Sequence, residues 1–357
     1  MKKRTVVVLF LFLIMGAIPC YAADFSDVPG LENVWEQAEQ YGVEKGESLN
    51  TGIARLFSTL LEEGHQLVKE RLRTGVSLLT VVLLCGLAQG AGAAGSKNRV
   101  QAVELAGAMA ITALTMTDMT NMIGLGRETV GKMRVFSDAL LPVMATLSAA
   151  TGNITGAAAR QGVTVLFSQL LIILMDQLLI PLVYSYVVVS CAHAAVGNPG
   201  LDKLAGLIKS GTTFLLTGVL LVFVGYLTAS GAVAGSVDAS AVKAAKLAIS
   251  RAVPVVGGIL ADASETVLAG AGVLKGTVGV VGLLVVLAIC LTPFLQLALQ
   301  YLTYKVTAAL CSTIAQPQLG KLIDTIGAAF GLVLGMTGAA ALVLMVSLVS
   351  AIKVVAP

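Results

Sequence analysis

The apolar residues of this chain come in runs of about 20, the length an α-helix needs to cross the hydrocarbon core of a bilayer. No water is present at that depth, so a helix that closes its own backbone hydrogen bonds is the form such runs take. Composition agrees: 57% of the 357 residues are hydrophobic and 12% are charged, against about 25% charged in a soluble domain. The chain therefore reads as all-α, a polytopic helical membrane protein. Its 38 glycines and 5% aromatics predict helices that pack through close backbone contact.

The runs place spans at residues 75–95, 101–123, 139–157, 162–195, 207–235, 276–296 and 325–351, about seven in all, with a further hydrophobic helix over 297–315. The 162–195 run is too long for one straight crossing. Asp176 and Pro181 interrupt it, so it is either strongly tilted or built of two pieces.

Ahead of the first span, residues 1–22 read as a signal peptide. Lys2, Lys3 and Arg4 precede the apolar run Val6 to Ile18, then Pro19 and the small-x-small Cys20-Tyr21-Ala22. The mature chain is expected to begin near Ala23, outside the cytoplasm; a lipidated Cys20 and an uncleaved first span are the alternatives. Residues 23–73 form a small acidic head, with ten acids and five bases between 24 and 73. Leu31, Val34, Trp35, Ala38 and Tyr41 follow helical spacing, and Gly42 marks the helix end. A second amphipathic stretch uses Ile53, Leu56, Phe57, Leu60 and Leu61 and continues toward the first span. So short a head buries little core alone and is expected to lie against the membrane or a partner.

Residues 74–357, the multi-span domain, carry fifteen bases and ten acids. The connection "SKNR" at 96–99 holds two bases and no acid, which places it in the cytoplasm and the head outside. Residues 236–253 are basic through Lys243, Lys246 and Arg251, opposite Val242, Ala245, Ile249 and Ala252, the pattern of a helix lying in the interface.

No catalytic constellation stands out, and the chain is not read as an enzyme. Gly90, Gly92 and Gly95 match a dinucleotide fingerprint, but they close a hydrophobic span with no βαβ unit around them. Cys191 and His193 supply two possible metal ligands, too few for a site, and no cofactor or metal is expected. Cys85, Cys191, Cys290 and Cys311 fall in apolar stretches as buried thiols. "GLGR" at 124–127 shares its spacing with the GxGD of intramembrane aspartyl proteases, yet Arg127 stands where the carboxylate belongs.

The candidate sites are therefore polar residues at membrane depth and glycines on helix faces. Asp176 is either a pore-facing or ion-binding group, or an interfacial residue near water. Asp118 and Asn121 are expected at the interface. Gly86–Gly90, Gly231–Gly235 and Gly272–Gly276 are GxxxG pairs, and Gly327, Gly331 and Gly335 form a ladder on one face of the last span, all read as packing positions.

Asp262 and Glu265 follow the helix-breaking "PVVGG" at 254–258, in a broken-helix segment over 254–279. As N-cap and N3 residues of a restarted helix they form a variant capping box. The alternative is that they line a water-filled passage, as broken helices do in transporters.

Residues 230–282, "SGAVAGSVDASAVKAAKLAISRAVPVVGGILADASETVLAGAGVLKGTVGVVG", followed by "LTYKVTAAL" and "IDTIG", resemble the stage III sporulation protein AE family of endospore-forming bacteria. The resemblance extends to the signal peptide and "VWEQAEQYG" and is strongest over 228–330. It implies a permease-like component of a membrane complex joining mother cell and forespore, needed for late forespore development and located in the mother-cell membrane that faces the forespore. The partners it implies are a cytoplasmic secretion-type ATPase, small membrane proteins and a ring-forming protein between the two membranes. No nucleic acid is among them. It assigns no catalytic residue. The expected function is thus a channel or scaffold subunit of an export-type complex, with an autonomous secondary transporter of a small solute as the rival.

Overall fold

The computed structural model describes residues 31–44, 48–91, 97–150, 156–229, 277–314 and 317–355. Among these the chain is helical throughout: α1 (Leu31–Gln40), α2 (Leu49–Ala91), α3 (Lys97–Ala150), α4 (Gly156–Leu174), a π turn (Met175–Leu179), α5 (Ile180–Val196), α6 (Pro199–Ala229), α7 (Thr277–Ile314) and α8 (Pro317–Val355). The signal peptide, the basic stretch 236–253, and Asp262, Glu265, Gly272 and Gly276 lie outside the described residues.

Local chemistry sets several helix ends. Gly42 sits at φ 71°, a left-handed conformation that glycine adopts without a Cβ clash. Val43 N then donates to Ala38 O and Gly42 N to Glu39 O, both at 2.9 Å, so the last carbonyls of α1 are met. Gly197, at φ 70°, closes α5 the same way, with its N–H 2.8 Å from His193 O. The next helix starts at once: Asn198 Oδ1 accepts from Gly200 N at 2.8 Å, and Pro199 occupies the first turn, where its missing N–H costs nothing. Ser48 caps α2 by accepting from Thr51 N.

Five of the described helices are long and apolar enough to cross a bilayer, where hydropathy alone suggests about seven spans. The two expected spans without a counterpart, 101–123 and 139–157, both fall on α3, which is not among the five. The stretches 276–296 and 297–315 are one helix, α7, with Pro293 inside it. The stretches 101–123 and 139–157 are joined by α3, which runs unbroken through 54 residues or about 81 Å. Its charged middle stays helical because the charges pair along it: Lys132 Nζ lies 2.7 Å from Glu128 Oε1 and Arg134 Nε 4.0 Å from Asp138 Oδ2. The bond to Glu128 holds the Lys132 ammonium above the ordinary lysine range. Similarly, α2 crosses from the acidic head into the first span without a break at residue 73.

The long run around Asp176 is one continuous helical path, not two pieces. Pro181 has no N–H to donate, and one turn earlier the helix widens so that Ile180 N reaches Met175 O.

α8 is the axis. In its apolar stretch 94% of residues are buried, against 17% for α2 and 22% for α6. α7 and α3 pack along α8, α2 packs on α7, and α6 lies almost wholly against α5. On α8 buried hydroxyls bond within their own helix: Thr337 and Ser347 donate to the carbonyls of Val333 and Val343 at 3.0 and 2.7 Å. The outer surface is apolar instead. Leu87 is 69% exposed and Phe214 75%, in continuous rows that a soluble monomer does not carry.

Several helices also meet through glycines that the GxxxG spacing does not single out. A Cβ on Gly126 of α3 would collide with Val333 of α8, and one on Gly107 would lie 2.8 Å from both Cys85 Sγ and Leu319 Cδ1. Gly52 meets Leu284 in the same way at 2.6 Å. Gly90, by contrast, faces open space. Of the ladder on α8, Gly327 faces α7, where a Cβ would lie 3.0 Å from that of Tyr304, and Gly331 and Gly335 are buried.

Candidate functional site

Asp176, the sequence's candidate at membrane depth, is held by the residue that spoiled the protease motif. Arg127 Nε on α3 donates to Asp176 Oδ1 at 2.8 Å, joining α3 to the π turn. The arginine side chain is 62% exposed and the carboxylate 33%. An exposed pair of this kind contributes about 0–1 kcal/mol, so its effect is to fix register rather than to hold the bundle together.

The most buried polar cluster is one that hydropathy missed. Asp118 on α3 is turned toward α7, not out to the interface. Its Oδ2 accepts from Gln300 Nε2 at 2.8 Å and from Tyr304 Oη at 3.0 Å. Gln300 and Tyr304 are fully buried, one turn apart on α7. The Tyr304 ring meets Phe330 of α8 edge-on at 5.0 Å, and Gly327 leaves room for its Cβ. A carboxylate, an amide and a phenol thus pin three helices at one level. Two buried atoms nearby lack a hydrogen-bond partner among the described residues, Gln300 Oε1 and Arg71 Nε of α2. Gln296, Gln300 and Tyr304 recur at helical spacing in an otherwise apolar run, and that stripe is the signal that marks α7's polar face.

A second polar locus lies at the α5–α6 turn, beside the start of α8. Here a cavity of about 410 Å³ is lined by Tyr186, His193, Asp202, Lys209, Lys321 and Asp324, among others. Lys321 Nζ donates to both Asp202 oxygens at 2.9 and 2.8 Å, clamping α6 to α8. His193 Nδ1 is 2.9 Å from Asn198 O and its Nε2 is 3.9 Å from Asp202 Oδ1. Lys305 Nζ reaches Asp324 Oδ1 at 2.6 Å. The histidine is therefore engaged in closing the turn, and Cys191 beside it does not join it as a ligand. Among the described residues no group of three His, Cys, Asp or Glu side chains could hold a metal ion.

The structure brings Asp176 to Arg127 and Gly327 to Tyr304, and beside Gly327 it gathers Asp118, Gln300 and Tyr304. A helical bundle with a packed axis, interior polar groups matched across helices and apolar outer rows defines a multi-pass membrane protein. The chain matches the family model of stage III sporulation protein AE over residues 37–356 and belongs to that family. Its role accordingly lies in sporulation, in agreement with the resemblance seen in the sequence.

A curated relative, the stage III sporulation protein AE of Bacillus subtilis (strain 168), is 24% identical over 218 residues, covering 61% of this chain and 55% of the relative. The matched part thus spans about half the length of that relative. No solved structure matches the chain.

Proposed function

We propose that this protein is the permease-like channel or scaffold subunit of an export-type complex joining mother cell and forespore, and that it supports late forespore development. The observation that carries the reading is the packed axis. α8 fills the centre of the described bundle, so a passage for cargo would run between this chain and its neighbours rather than through a single copy. The apolar rows on α2, α4 and α6 are surfaces for lipid and for those neighbours. The partners are a cytoplasmic ATPase, small membrane proteins and a ring-forming protein in the intermembrane space, and the chain sits in the mother-cell membrane with its head extracytoplasmic.

The rival reading, an autonomous solute transporter, needs a coupling residue at membrane depth. Its candidates are Asp176 with Asp262 and Glu265; Asp176 is paired with Arg127 at 2.8 Å, and the other two lie outside the described residues.

Photo-crosslinkers placed at Phe214 and Leu87 in sporulating cells provide the test. Adducts to other membrane proteins of the sporulating cell are expected. Solute uptake by proteoliposomes holding this chain alone would overturn the proposal in favour of the transporter.

A further inference from the structure

We propose that the groove between α2 and α7 binds one acyl chain of an anionic phospholipid, with Arg71 holding its phosphate. The groove has two parallel rails of large apolar side chains, Val68, Leu72 and Val76 from α2 and Leu302, Val306 and Leu310 from α7, all more than a third exposed. Each rail advances by four residues, one helical turn, so both rails face the same way along the groove.

Between them the α2 backbone at Gly75 lies against two threonine side chains of α7. A Cβ on Gly75 would lie 3.0 Å from Thr307 Oγ1 and 3.1 Å from Thr303 Cγ2. The glycine forms the floor, and the groove is shallow.

Dimensions decide between a lipid tail and a protein helix. From Val68 to Leu79 the groove runs eleven residues, about 17 Å at 1.5 Å per residue, close to the ~15 Å depth of one leaflet. A volume of about 270 Å³ over that length makes it a narrow slot, far smaller than the ~10–12 Å wide body of a helix with its side chains. A single hydrocarbon chain fits that slot; a transmembrane helix of another protein does not enter it.

Charge supplies the headgroup. Arg71 lines the groove four residues inside the start of the apolar stretch Leu67–Gly90, at headgroup depth. Its Nε is buried without a hydrogen-bond partner among the described residues. A half-buried guanidinium lining an apolar groove is matched by an oxyanion carried on a hydrocarbon tail, and guanidinium binds phosphate through paired N–H donors. Lys69 and Arg73 stand exposed on the same turns, with Glu70 as the one acid among them, so the local field favours an anionic over a zwitterionic headgroup.

The test uses the full chain in detergent micelles, titrated with phosphatidylglycerol and with phosphatidylcholine and read by native mass spectrometry. Phosphatidylglycerol is expected to bind at least tenfold more tightly. Arg71→Gln removes the charge-assisted bonds and should weaken that binding tenfold or more, with Arg71→Lys recovering part of it. Val76→Trp fills the groove from a rail position that is 61% exposed, leaves the polar cluster alone and should also abolish the preference.

A photo-crosslinker at Val76 in native membranes should yield a phospholipid adduct. Equal binding of the two lipids, unchanged affinity in both Arg71→Gln and Val76→Trp, or competition by free glycerol phosphate as strong as by lipid would overturn the proposal. So would a Val76 adduct to a second copy or to another segment of the same chain.

Discussion

Replacing Asp118 tests whether the α3–α7 network is structural. Asp118→Ala leaves the Gln300 amide and the Tyr304 hydroxyl, both fully buried, without the acceptor they share at 2.8 and 3.0 Å. A buried donor left unmet costs about 1–3 kcal/mol, so two give an upper value of about 6 kcal/mol. Interhelical hydrogen bonds in membrane proteins average about 0.6 kcal/mol each, which sets a lower value near 1 kcal/mol. The lower half of this range is favoured, because the unfolded chain in a bilayer also finds partners for these groups. Asp118→Asn keeps an acceptor at the same place and should cost less than the alanine. Tyr304→Phe removes one of the two donors, so the double substitution with Asp118→Ala should lose less than the sum of the single losses by at least ~0.5 kcal/mol. Unfolding of the purified chain in mixed micelles, followed by circular dichroism, measures all four. Alanine and asparagine variants with wild-type stability, or strict additivity with Tyr304→Phe, would refute the network as a structural tie.

Gly126→Ala should destabilise by about 1–3 kcal/mol because its methyl group collides with Val333, whereas Gly131→Ala, which faces open space, should stabilise α3 by about 0.5–1 kcal/mol; the same unfolding assay reads both, and equal effects would contradict the packing. Arg127→Gln should shift stability by no more than about 1 kcal/mol and leave sporulation intact, so a sporulation defect at normal protein abundance would restore Asp176 as a functional group. Gly331→Leu puts a large side chain on the buried axis and should lower protein abundance, while the exposed Phe214→Leu should not, as immunoblots of sporulating cells would report. If Asp262 and Glu265 form a capping box, Asp262→Asn and Glu265→Gln should be better tolerated than Asp262→Ala, whose loss of the cap would cost about 0.5–2 kcal/mol; normal abundance with lost sporulation in the two charge-neutral variants would favour the passage.

What the sequence made legible was what short range determines. Gly42 ends α1 because a left-handed residue is needed within a few bonds of the last carbonyls, and glycine announces that locally. Asp176 with Pro181 announced an irregular helix, and a π turn lies there. Hydropathy failed at 124–138, where it reads charge as a loop. Glu128 with Lys132 and Arg134 with Asp138 are helix-compatible pairs on an exposed face, so burial changes along α3 while the backbone does not. The Asp118 network joins residues 182 and 186 apart in the chain, and only the packing of α3 on α7 makes them neighbours. Glycine contacts were hidden for the same reason. Spacing within one helix shows where a close approach is possible, and the partner's side chain, Val333 for Gly126 or Leu284 for Gly52, decides where it occurs.

The position of α8 in the order of synthesis has a consequence for biogenesis. At ~5–20 residues per second, the roughly 300 residues from the start of α2 to the end of α8 take about 15–60 s to make. During that interval the other helices able to cross the bilayer are made before the one they pack around exists. Ile123 of α3 and Val286 of α7, both buried in the finished bundle, must meanwhile face lipid, one another or an insertion factor. Assembly is therefore a late collapse of helices already in the membrane onto a final arrival, and a ribosome that stops short of residue 317 leaves a ring of inserted helices with nothing to close around.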